Sequence, residues 1–177
     1  WFLPTASDSR GIVGGGHGAS IQATETLRGP RLPYLVQVAQ AAEYNGFESV
    51  LSPTGLWCQD AWLTTAAISQ HTERLKFLVA LRPGAMSPTL AAQMAATYQD
   101  LTGGRLNVNV VAGGESTEQR AFGDFLDKDG RYARTGEFLD IVSRLWDHEP
   151  PFDYRGEHLA VEQARLDFPP APRPQVY

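Results

Sequence analysis

With Cys58 as its only cysteine, the chain can form no intrachain disulfide, and one thiol suits a reducing compartment, so a cytoplasmic location is expected. Basic residues are scarce: 15 Lys and Arg against 20 Asp and Glu leave a net charge of −5, with no cationic face for a phosphate backbone. Nucleic acid is therefore excluded as an expected partner. Apolar residues never run for the roughly 18 positions that a membrane-crossing helix needs. The four histidines, His17, His71, His148 and His158, lack H-x-x-x-H or H-E-x-x-H spacing, so no metal site is expected. No G-x-S-x-G elbow or Walker loop is present, which removes the usual signals for acyl transfer and nucleotide hydrolysis. An initiator methionine is missing too. WFLPT at the start reads as a strand already under way, and PPAPRPQVY stops where a new strand would begin, so the chain is expected to be a fragment.

What is present is ordinary for a globular protein, with 42% apolar residues, and one segment organises the rest. Lys76 to Gly114 reads as strand, helix, strand. FLVAL at 77–81 and LNVNVVA at 106–112 show no apolar/polar alternation, the mark of strands covered on both faces of a parallel sheet. Between them Ser87 can cap and Pro88 can take the first helical position; Leu90, Met94, Ala95, Tyr98 and Leu101 recur at helical spacing, and Gly103-Gly104 ends the helix. The same reading predicts strands at Trp1–Pro4, Glu48–Leu51 and Leu106–Val111, and helices at about 33–45, from Asp60, and at about 129–146. In the last, Tyr132, Thr135, Phe138, Leu139, Val142, Leu145 and Trp146 form the expected inner stripe. Residues 6–31 read as a long loop, and 150–177 as a hairpin turning at Arg155-Gly156 followed by a proline-rich connector. Four strand–helix units fit either an open doubly wound sheet or half of a (β/α)8 barrel.

Gly14-Gly15-Gly16-His17-Gly18-Ala19 matches G-x-G-x-x-A formally, but about nine loop residues precede it and no clear helix follows, so a plain loop is favoured over a phosphate cradle. Cys58, just beyond the second strand, is either a packing residue or part of a site. Asn109, an amide in an apolar strand, needs partners that either the fold or a ligand supplies; Asn107 reads as structural. Arg82 follows the third strand and would place a guanidinium at its carboxyl end, or form a surface salt bridge. Tyr132 and Lys128 open the fourth helix, where an anion is favoured; a packed Tyr and a solvated Lys are the alternative.

Five segments, WFLPT, SPTGLWCQDAW, TERLKFLVALRPGAMSPTLAAQMAAT, LTGGRLNVNVVAGG and FLDKDGRYART, occur in the order found in bacterial-luciferase-like flavin monooxygenases. The chain resembles that family, and within it the alkanesulfonate monooxygenase branch most. The resemblance implies the N-terminal half of a (β/α)8 TIM barrel that takes reduced FMN from an NAD(P)H-dependent FMN reductase. It further implies oxygenation of an alkanesulfonate by O2 to an aldehyde and sulfite. By matching position it implies Cys58, Asn109, Ala112, Lys128 and Tyr132 at the cofactor, and an anionic substrate would give Arg82 its use. Lys128 stands where the family often has His, Ala6 replaces another His, and the loop from Ser7 to Arg31 is longer than the branch leads one to expect. The family's catalytic Arg, His and Tyr belong to the second half of the barrel. A homo-oligomer is expected of the full-length protein. A sulfone substrate and a non-catalytic flavin-binding half-barrel are the alternatives.

Overall fold

A computed structural model describes residues 1–6 and 28–177; the Gly14–Ala19 motif and most of the expected loop at 6–31 lie outside the described residues. The chain divides into two compact units, residues 1–81 with 107–109, and residues 82–106 with 110–177.

The first unit is built on parallel strands. β1 (Ser49–Ser52) pairs in parallel with β2 (Lys76–Leu81), Val50 opposite Phe77 and Ser52 opposite Val79. The middle of β3 (Leu106–Val110) follows β2 in the sheet order. The expected strand at Trp1–Pro4 is reduced to one parallel bridge, Phe2 to Leu51, although Leu3 donates to the Leu51 carbonyl at 2.8 Å and is itself fully buried. Helix α1 (Leu32–Tyr44) buries Leu35, Ala39 and Ala42, one face at helical spacing, and Gly46 with φ +79° ends the segment. Helix α2 (Ala61–Ser69) starts where Asp60 accepts from the Leu63 amide at 2.8 Å, the N-cap that the sequence predicts. Phe77, Val79 and Ile68 have no exposed surface and form the centre of this unit's core.

The second unit is helix on helix with a small hairpin. Helix α3 (Pro88–Thr102) is capped by Ser87, which accepts from Leu90 N–H at 3.2 Å, and stops at left-handed Gly103. Its buried face is only partly the one expected: Ala95 and Tyr98 are buried, but Leu90 and Leu101 are exposed and Ala91, Ala92 and Ala96 are buried instead. Small side chains let α5 (Lys128–Trp146) approach closely, and Trp146 Nε1 donates to the Ala92 carbonyl at 3.3 Å. The inner stripe of α5 is Arg131, Thr135, Phe138, Ile141, Val142, Leu145 and Trp146, so the expected Tyr132 is displaced by its neighbour Arg131 and is itself 56% exposed. A short helix α4 (Ser116–Ala121), which the sequence reading passes over, lies between β3 and α5. The hairpin is β4 (Phe152–Arg155) against β5 (Ala160–Ala164), antiparallel and bulged, close to its expected place. The Glu137 carboxylate of α5 accepts from the amides of Glu157, His158 and Leu159 and so fastens the hairpin's turn. β6 (Gln175–Val176) is a two-residue strand, and Val110 N–H donates to the Tyr177 carbonyl at 2.9 Å.

Candidate functional site

Chemistry-bearing groups of the second unit gather where β3 gives way to Gly113-Gly114. Arg82, the residue directly after β2, is only 7% exposed, so the surface salt bridge of the sequence reading is replaced by a buried one. Its Nη2 lies 2.7 Å from Oε2 of Glu118 on α4, and its guanidinium carbon sits 5.2 Å from the centre of the Phe122 ring. Gly114 faces the same groups: a Cβ built on it would stand 2.8 Å from Gln119 Nε2 and 3.9 Å from Arg82 Nη2. Gln119 is 3% exposed, and its Nε2 has no hydrogen-bond partner among the described residues. A buried donor left unmatched costs about 1–3 kcal/mol, so this corner is set up to receive an acceptor.

A second ion pair backs the first. Arg134 on α5 holds Asp124 through Nη1 and Nη2, at 3.1 and 2.5 Å, and Asp124 is 5% exposed. The Arg134 hydrogen bond keeps the Asp124 carboxyl below the ordinary range, outweighing the burial that pushes it up; the Leu126 amide and the charge of Arg131 act in the same lowering direction. Arg131, 4% exposed, donates to the Leu126 carbonyl at 2.7 Å and leaves its Nε without a partner.

At the start of α5, Tyr132 lies against the other glycine: a Cβ on Gly113 would stand 4.0 Å from its hydroxyl. Lys128 is the first helical residue and is exposed. The helix N-terminus itself is already engaged, because Asp127 Oδ1 accepts from Gly130 N–H at 2.8 Å. An anion here would meet side-chain donors, the Tyr132 hydroxyl and the Lys128 ammonium, and would compete with Asp127 for the amides. Ala112 is half-buried in the loop before Gly113, since β3 ends at Val110, short of the expected Val111.

The remaining predicted residues belong to the first unit. Cys58 is half-buried, and its Sγ lies 3.7 Å from the Pro53 carbonyl and 3.5 Å from that of Gly55, acceptors that suit a thiol rather than a nucleophilic thiolate. Asn107 is buried and Asn109 is half-buried. Among the described residues no cluster of His, Cys, Asp or Glu is placed to hold a metal, and no helix is long and apolar enough to cross a membrane. A groove of about 770 Å³ between α3 and the 165–171 connector holds none of the predicted site residues.

Sequence reasoning missed Glu118, Gln119, Asp124, Arg131 and Arg134. Arg131 alone had a signal in the sequence, since it falls at helical spacing with Thr135, Phe138 and Val142. Gln119 carried no such signal, since nothing in its neighbours marks it as buried.

Residues 9–177 match the model of a family described as luciferase-like monooxygenase. Among solved structures, similarity extends to the FMN-bound oxygenating constituent of 3,6-diketocamphane monooxygenase from Pseudomonas putida, at 21% identity and TM-score 0.70, covering 82% of this chain and 44% of that one. EDTA monooxygenase from Chelativorans sp. BNC1 gives 20% identity and TM-score 0.74, covering 82% and 41%. An F420-dependent secondary alcohol dehydrogenase gives 24% and 0.73, covering 83% and 48%. The chain therefore spans less than half the length of each, and at these identities the likeness establishes the α/β fold with its parallel sheet, that of part of a luciferase-like TIM barrel.

Proposed function

The chain belongs to the luciferase-like monooxygenase family, and on that premise we propose that it serves a reduced-FMN-dependent monooxygenase that converts alkanesulfonates to an aldehyde and sulfite. The observation that carries the reading is the convergence of donors on one bend. Tyr132 flanks Gly113, and Arg82 with Gln119 flanks Gly114, so adjacent residues without side chains lie beside donors suited to anions. In this assignment Tyr132 and Lys128 hold the flavin phosphate, and Arg82 takes the sulfonate. Glu118 orients the guanidinium from one side, while Phe122 covers its face and keeps water away, which strengthens its pull on an anion.

Reduced FMN, when bound, supplies two electrons that split O2 between substrate and water. The balance is R–CH2–SO3⁻ + FMNH2 + O2 giving R–CHO, HSO3⁻, FMN and H2O; a carbon–oxygen bond forms and the carbon–sulfur bond breaks. An NAD(P)H-dependent FMN reductase would return FMN to its reduced state.

Full-length protein, reduced FMN, O2 and a panel of alkanesulfonates test the substrate, with sulfite release as the readout. Sulfite from at least one supports the reading, and none from any member overturns desulfonation. The cofactor assignment is tested separately by the dissociation constant of reduced FMN in Tyr132→Phe and Lys128→Met. Unchanged affinity in both would return those residues to structural roles, and a preference for F420 over FMN would overturn the cofactor.

A further inference from the structure

Arg82 is held from two directions, and only one of them is its own ion pair. Two residues further along, Gly84 lies directly against the Asp124–Arg134 pair: a Cβ on Gly84 would collide with Arg134 Nη2 and stand 2.7 Å from Asp124 Oδ2. The turn between them is closed by Ala85 N–H donating to the Arg82 carbonyl at 2.9 Å. The Asp124 amide donates to the Gln119 carbonyl at 2.9 Å, which ties the pair back to α4 and therefore to Glu118. A ring of contacts results: Arg82 to Glu118, α4 to Asp124, Asp124 to Arg134, and Arg134 to Gly84, two residues from the start. The Asp124–Arg134 side chains are themselves 3% and 13% exposed, so the ring rests on a pair shielded from solvent.

We infer that Asp124 and Arg134 are positioning residues, which seat the Gly84 turn and through it fix the Arg82 guanidinium where it meets an anionic ligand. The inference rests on the proposed role of Arg82 and adds the device that sets its place. The physical ground is that a buried bidentate pair has one arrangement. A backbone packed flat on that pair without a side chain inherits its position. Lys in place of Arg134 keeps the charge and loses the fork, and Ala in place of Gly84 keeps the pair and shifts it.

The test uses the full-length protein with FMN present and inorganic sulfate as the probe, its dissociation constant measured by titration calorimetry. Arg82→Met should abolish measurable sulfate binding. Arg134→Lys and Gly84→Ala should each weaken it about tenfold, the scale expected when a charged contact is displaced but kept. Glu137→Gln, on the hairpin side of α5, serves as the stability control and should leave sulfate affinity unchanged. If Arg82→Met binds sulfate as the wild type does, the anion role of Arg82 fails and the inference falls with it. If Arg82→Met loses sulfate but Gly84→Ala and Arg134→Lys do not, the positioning role alone is overturned. A fall in Glu137→Gln equal to theirs would mark the effect as general loosening and would also overturn it. Should Arg134→Lys not fold, Gly84→Ala decides, since it leaves both partners of the pair in place and no positive φ opposes a Cβ there.

Discussion

Gly114 lies under the side-chain amide of Gln119, so close that a Cβ on the glycine would stand 2.8 Å from Nε2. At the preceding residue the space is ordinary, the nearest atoms to such a Cβ being those of the Tyr132 ring at 4.0 Å. Adjacent glycines should therefore respond differently. Gly113→Ala is expected to be tolerated within about 0.5 kcal/mol, whereas Gly114→Ala should cost about 1–3 kcal/mol by overpacking. Combining Gly114→Ala with Gln119→Ala should recover part of the loss, a coupling that urea unfolding of the full cycle would reveal. Equal losses at both glycines would contradict the packing described.

The pairing of Arg82 with Glu118 leads to a second expectation. Breaking a buried pair leaves an uncompensated charge, typically at about 3–5 kcal/mol, and the 18% exposure of Glu118 places this one at the lower end. Glu118→Ala should destabilise by about 3 kcal/mol, and Glu118→Gln by less because an amide oxygen still accepts from Nη2. Chemical denaturation of both variants provides the check; an alanine variant as stable as the wild type would mean that the pair contributes nothing.

A third expectation concerns the hairpin. Glu137 accepts from three successive amides, and a Cβ on Gly156 would collide with its carboxylate. Glu137→Ala should expose the amides of Glu157, His158 and Leu159 to fast hydrogen exchange while the α5 core at Phe138 and Ile141 stays protected. Gly156→Ala should do the same by displacing the carboxylate rather than removing it. Exchange that remains slow at all three amides in both variants would refute the latch.

These sites differ in how far the sequence shows them. Ser87, Pro88, Asp60 and Gly103 act locally, through caps and a left-handed stop, and each does what a reader of the chain expects. On α3 helical spacing picks out Ala95 and Tyr98 correctly but also Leu90 and Leu101, which are exposed because close approach of α5 selects the alanines between them. Helical spacing alone puts Tyr132 on the core stripe, yet Arg131 is buried in its place because Asp124 and the Leu126 carbonyl offset its charge. Arg82, Lys128 and Tyr132 could be nominated from their places at element ends. Gln119, Asp124 and Arg134 could not, since their roles come from contacts between segments that no spacing encodes.

Acid should weaken the fold in a way that Asp124 partly explains. The hydrogen bond from Arg134 holds its carboxyl below the ordinary range despite burial, so the unfolded chain takes up the proton first as pH falls. The stabilisation from this group is then fully present above the unfolded value of about 4 and is lost as pH drops through the lower folded value. Glu43 and Glu137 act with the same sign: burial raises each carboxyl, but three backbone N–H donors apiece more than reverse it. Unfolding free energy should therefore be level near neutrality and decline below about pH 5. Asp124→Asn, which cannot titrate, should be less stable at pH 7 yet lose less on going from pH 5 to pH 3. Urea titrations of both proteins across that interval measure the difference, and an asparagine variant with the full wild-type acid slope would remove Asp124 from the explanation.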